Sequence, residues 1–232
     1  MATIDATQDY DFISTLTFAS ASGTCLIYLY RGGSRISGTL YYRTGTSGSW
    51  TSLSVSGTGT TFPVSSTTMQ VASDWNKSGN NYMTQSFNGQ SSNLTEIAIS
   101  QKAVLSGVIG EYFMLGYANG CLSLTSLAIP DTSSVSSVGA SFMLNYALNC
   151  SSLERLELGA IGWFASNNVD WSVPSGRLNN LKGYVQNSAD LSDWQGEVSS
   201  GETLYTNYVR STSDVVLEIP STNNSNFLAF MQ

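Results

Sequence analysis

Histidine is absent from this 232-residue chain. That removes the commonest general base and the commonest metal ligand, and it rules out any Ser-His-Asp arrangement. Charge is scarce as well. Asp, Glu, Lys and Arg make up 11% of the residues, against roughly 25% in an average globular domain. The nine basic residues are scattered from Arg31 to Arg210, so no stripe exists that could track phosphates, and no nucleic-acid partner is expected. No apolar run approaches the ~20 residues of a membrane-spanning helix, and no membrane insertion is expected. The opening MATIDATQDYDF has neither a basic nor an apolar signal-peptide region, so the expectation is either that the mature chain begins here or that it leaves the cell by another route, such as release by lysis. Cys25, Cys121 and Cys150 do not match zinc-site spacing. There is no G-x-S-x-G and no glycine-rich phosphate loop before a helix. The expectation is a non-enzymatic chain with no cofactor, no metal and no catalytic residue.

In place of charge stand Ser, Thr, Asn and Gly. Hydrophobic residues reach 41% and aromatic residues 11%, enough for a sizeable core and too many for a disordered chain. The first 70 or so residues contain β-rich runs at about ten-residue spacing: STLTFAS, GTCLIYLYR, SGTLYYRTG, SWTSLSVSG and TTFPVSSTTMQVA. That spacing is the signal of an antiparallel sandwich or half-barrel. Leu26, Tyr28 and Tyr30 alternate with Ile27 and Leu29. A run apolar on both faces predicts a central strand.

Past the polar connection SDWNKSGNNY, the chain repeats itself. FMLGYANGCLSLTSLAI (113–129) and FMLNYALNCSSLERLEL (142–158) agree at nine of seventeen positions, at a constant offset of 29. The conserved core is Ser123, Leu124, Leu127 and Ile129, then Ser152, Leu153, Leu156 and Leu158. Weaker copies carry Leu94, Ile97 and Ile99, and later Leu178, Leu181 and Val185, while VVLEIP (215–220) echoes TSLAIP (125–130). The period-2 ending predicts a short strand. The segment Phe113, Met114, Leu115, Tyr117, Ala118 before it reads as a short helix or 3₁₀ turn. One such coil cannot bury its apolar side alone, whereas stacked coils bury a continuous core beneath parallel strands.

This pattern, F…YA..C.SL..L.I(P), resembles the leucine-rich repeats of BspA-like surface proteins over about residues 80–220. The stretch GTLYYRTGTSGSWTSLSVSG is similar to the small β-domains that precede such repeats in bacterial and phage surface proteins. The resemblance implies binding, adhesion or assembly. The expected fold is therefore mainly β with short helices. An N-terminal antiparallel β-sandwich-like domain (1–75) precedes a short leucine-rich-repeat-like solenoid with irregular C-terminal coils (76–232).

Cys121 and Cys150 occupy equivalent repeat positions, so they stack as a buried thiol ladder or form a bond; Cys25 reads as core. Asp5, Asp9 and Asp11, and Asp190, Asp193 and Glu197, are solvated loop acids by default, with calcium or a paired-carboxylate role as alternatives. Trp163, Phe164, Trp171, Tyr184 and Trp194 have the composition of a sugar- or protein-binding surface, or else cap the last coils. The expected function is a structural or attachment protein of an extracellular assembly, foremost a phage virion component such as a decoration protein, fibre or adhesin. Its partners would be itself, other structural proteins or a surface glycan, on a virion or extracellular surface. The alternatives are a bacterial cell-surface adhesin or self-assembling filament subunit, and a carboxylate-dependent polysaccharide-active enzyme.

Overall fold

The computed structural model describes residues 3–87, 93–132, 134–139, 142–143, 145–147, 149–157, 182–185 and 215–218. In chain order the strands are β1 Thr3–Ile4, β2 Phe12–Phe18, β3 Thr24–Arg31, β4 Ser34–Ile36, β5 Gly38–Thr44, β6 Thr51–Val55, β7 Thr60–Pro63, β8 Thr68–Ser73 and β9 Lys77–Ser78. They continue as β10 Asn81–Tyr82, β11 Thr84–Ser86, β12 Leu94–Gln101, β13 Ser106–Ile109, β14 Ser126–Ala128, β15 Ser134–Val138, β16 Arg155–Glu157, β17 Lys182–Val185 and β18 Val215–Glu218. The fold is mainly β.

The N-terminal runs form the strands their alternation predicts. In β3, Cys25, Ile27 and Leu29 are buried, and the strand is central, flanked by β11 on one side and by β4 and β7 on the other. Its turn into β4 is Gly32-Gly33, both with positive φ, as a two-residue hairpin loop requires. A Cβ on Gly33 would lie 2.8 Å from the Tyr112 ring, so the hairpin tip needs glycine to dock there. Opposite β3, a larger sheet runs β12-β2-β8-β5-β6 with antiparallel pairing throughout. Both sheets bury their inner faces in one cluster that includes Leu16, Ile27, Leu40 and Val71.

That larger sheet does not end at β12. On its far side β12, β14, β16 and β17 stack in parallel. The register puts Ile97 opposite Leu127, Leu127 opposite Leu156, and Leu156 opposite Gly183. The strong repeat and its weak upstream copy therefore align as the Leu spacing predicts. A second parallel pair, β13 with β15, follows the same step. Two later features differ. Gly183, not Leu181, meets Leu156, a slip of two residues that keeps the same face. The final strand, β18, pairs antiparallel to β17 rather than adding another parallel coil.

The short helix or 3₁₀ turn expected over 113–118 is not formed, and there is no helix among the described residues. The segment is a chain of β-turns: Leu115 N–H donates to Tyr112 O, Tyr117 to Met114, Asn119 to Gly116 and Cys121 to Ala118. Positive φ at Met114, Gly116 and Gly120 falls at the third residue of three of these turns and is matched at Met143, Asn145 and Asn149. A left-handed residue at that place is the mark of a type II turn and selects Gly or Asn. The two Gly-to-Asn differences between the copies, 116/145 and 120/149, thus conserve a backbone conformation. The apolar spacing looked helical because such turns also gather Phe113, Tyr117 and Cys121 on one side, but recurrent left-handed residues prevent helix propagation.

Like residues stack between coils. Phe113 lies over Phe142 (centroids 5.3 Å, 12° between planes) and Tyr117 over Tyr146 (5.1 Å, 13°). No disulfide joins Cys121 to Cys150. Instead each Sγ–H donates to a carbonyl of the preceding turn, Cys121 to Phe87 O at 3.2 Å and Cys150 to Ala118 O at 3.0 Å. At the junction of the sheet with the first coil, Ser14 Oγ is 2.7 Å from both Gln85 Oε1 and Tyr117 Oη, and Gln85 Nε2 donates to Ser73 Oγ. This buried network has a partner for every hydroxyl, the condition under which polar groups are tolerated in a core.

Candidate functional site

Trp163, Phe164, Trp171 and Trp194 lie outside the described residues. Tyr184 lies on β17, in register with Glu157 and Val216. Among the described residues, surface aromatics gather elsewhere, on the outer face of the N-terminal sheet.

Alternation along β5 builds this face. Leu40 is fully buried and Tyr42 stacks on buried Phe62, so Tyr41 and Arg43 point the other way. Tyr41 stacks on Tyr10 (4.7 Å, 27°), and Tyr10 meets the Trp50 ring edge-on at 5.2 Å. The Arg43 guanidinium sits 4.2 Å above Trp50, a cation–π contact worth about 0.5–1 kcal/mol at an exposed site. Its Nε–H donates to Gln70 Oε1 (2.8 Å), and Gln70 Nε2 donates to Thr15 Oγ1 (2.9 Å). This chain of bonds across β5, β8 and β2 holds the guanidinium in place over the indole. Partial burial raises the Tyr10 phenol above its usual pKa, and the neighbouring Tyr41, Asp74 and Asp9 add to the rise.

The acids of DATQDYDF are dispersed over separate partners. Asp5 Oδ1 accepts from the Thr7 hydroxyl and then from its N–H, which lowers its pKa. Asp9 Oδ2 accepts from Trp50 Nε1 at 3.3 Å, and Asp11 Oδ2 from the Trp75 N–H at 3.0 Å. Their work is to fasten the N-terminal segment and the Trp50 ring to the sheet.

Beyond Tyr41 the face opens into a cleft of about 600 Å³. Arg31 at the end of β3, Asp74 and Asn76 after β8, and Ser37 and Thr39 at the start of β5 line it, with Ile36 and Met83 as its apolar part. One Arg31 terminal nitrogen donates to Asn76 O at 3.3 Å, while its Nε is buried without a hydrogen-bond partner. Aromatic faces, hydroxyls, an amide and one charge of each sign suit recognition of a polar ligand rather than an apolar one.

Sequence reasoning missed this face, although its signal lay in GTLYYRTGTSGSW. Period-2 alternation from buried Leu40 puts Tyr41 and Arg43 together on the opposite side. Nothing local announces that Tyr10 and Asp9 arrive beside them. No protein-family model, curated protein or solved structure matches this chain.

Proposed function

We propose that this chain is a non-enzymatic structural or attachment protein of an extracellular assembly, and specifically a phage virion component: a decoration protein, fibre or adhesin. The observation that carries the reading is the aromatic face of Tyr10, Tyr41 and Trp50, displayed on a sheet that continues into stacked coils. Surface aromatics with Arg are the residue types that anchor contacts with partners. The parallel register of β12, β14, β16 and β17 at steps of 27–30 residues supports reading the second part as a short leucine-rich-repeat-like solenoid of the BspA-like kind. Such stacks present an extended surface and leave strand edges at their ends. The partners in this reading are copies of the chain, other structural proteins of the particle, and a surface glycan.

The test is localisation in the native source. Antibody labelling of purified particles, with mass spectrometry of the same fraction, should find the chain in stoichiometric amount on the virion. Recovery in the cell envelope or in filaments would transfer it to a cellular adhesin. Turnover of a polysaccharide panel by the purified chain would overturn the non-enzymatic reading.

A further inference from the structure

We infer that the cleft beside Tyr41 binds a single neutral pyranose unit, with the Tyr10–Trp50 face receiving the next unit of the same glycan; the inference rests on the attachment reading for its biological setting. The donor and acceptor pattern carries it. Arg31 is donor-only and Asp74, ionised, is acceptor-only, and both line the cleft. A vicinal diol satisfies both at once: one hydroxyl oxygen accepts from a terminal N–H of the Arg31 guanidinium while its neighbour donates to Asp74. The Arg31 Nε is enclosed and one terminal nitrogen donates to Asn76 O, so the remaining terminal N–H groups of the guanidinium are the donors left for an incoming hydroxyl oxygen. Asn76, Ser37 and Thr39 each offer both a donor and an acceptor to the remaining hydroxyls. Tyr41 gives a ring against which the apolar C–H face of a pyranose can lie.

Charge selects neutral over acidic sugars. The two charged lining residues cancel, Asp9 stands at the neighbouring aromatic face, and the whole chain carries −7. A uronic or sialic acid carboxylate at Arg31 would also face Asp74, which like-charge repulsion opposes. The cleft volume of about 600 Å³ falls inside the ~300–1,000 Å³ span of small-molecule sites, and Tyr41, which lines it, stacks on Tyr10.

The experiment is saturation-transfer NMR and calorimetry on the full chain. The probes are the methyl glycosides of glucose, galactose and mannose, N-acetylglucosamine and methyl glucuronide. At least one neutral pyranoside should bind with a dissociation constant of about 1 mM, and glucuronide at least ~10-fold more weakly, because its carboxylate is repelled by Asp74. Arg31→Gln and Asp74→Asn should each weaken binding ~10-fold or more, while Trp50→Ala, outside the cleft lining, should leave binding of a single methyl pyranoside unchanged. No transfer from any neutral pyranoside overturns the inference. So does equal binding by the Arg31→Gln/Asp74→Asn double variant with an unaltered melting curve, or a preference for glucuronide. The two readings fail separately. Sugar binding by a chain absent from particles retires the attachment reading and leaves the cleft. A chain found on particles whose cleft ignores every neutral pyranoside does the reverse.

Discussion

Asn149 is the place to test why the two repeat copies exchange Gly for Asn. It is exposed, with φ of 63°, and it matches Gly120 at 75° in the preceding coil. An ordinary L-residue held in the left-handed region costs roughly 1–2 kcal/mol, and Asn escapes part of that because its short amide can bond locally. Asn149→Ala should therefore destabilise by about 1 kcal/mol, and Asn149→Val by about 2 kcal/mol, β-branching being worse still at positive φ. Asn149→Gly removes the strain entirely but adds about 0.5–1 kcal/mol of unfolded-state entropy. The two nearly cancel, and stability should stay within about 0.5 kcal/mol of the parent. Because the side chain is exposed, no cavity term enters. For a chain of this size each kcal/mol moves the melting temperature by about 2–4 °C, so calorimetry and urea titration both resolve the series. The expected order is Gly close to Asn, then Ala, then Val. An Ala variant as stable as the parent, or a Gly variant that loses as much as Ala, refutes the type II turn as the reason for the exchange.

Leu127→Ala should cost about 2–5 kcal/mol, because Leu127 is fully buried between Ile97 and Leu156 in register; an unmoved denaturation midpoint would sink the coil alignment. Tyr117→Phe should cost about 0.5–1.5 kcal/mol, the usual net worth of one hydrogen bond, because Ser14 still has Gln85 as partner. A larger loss, read by urea titration, would mean that the phenol organises the junction beyond that bond. Burial raises the pKa of Cys25, Cys150, Tyr117 and Tyr146. Above the unfolded thiol pKa of about 8.5 the unfolded chain therefore releases protons that the native one retains, and stability falls as pH rises. A pH series of melting curves should show that alkaline decline, and Cys25→Ala should flatten part of it; a flat curve up to about pH 10 would contradict burial of these groups. Native Cys25 and Cys150 should also resist an aromatic disulfide reagent until denaturant is added, and immediate labelling would place them at the surface.

Local pattern by itself determined much of this protein. Alternation in TCLIYLYR announced a central strand, and the 29-residue offset announced coils whose Leu127 and Leu156 face each other. Both depend on which side of the backbone a residue occupies, a property of periods 2 and 29 that needs no knowledge of distant neighbours. Tertiary structure decided the rest. Whether FMLGYANG becomes a helix or a row of turns depends on φ at Gly116 and Gly120, which neighbouring coils help impose through bonds such as Met143 N–H to Phe113 O. That the coils grow from the edge of the N-terminal sheet depends on β12 pairing with β2, 76 to 89 residues away in sequence. The aromatic face exists only because β5 pairs with β8 and the N-terminal segment crosses to bring Tyr10 and Asp9 against Tyr41 and Trp50. The cleft likewise joins Arg31 to Asp74 across the fold. Sequence tells a strand which face to bury, but which strand lies beside it is chosen by the burial of the whole core, and a site assembled across strands becomes legible only once that choice is made.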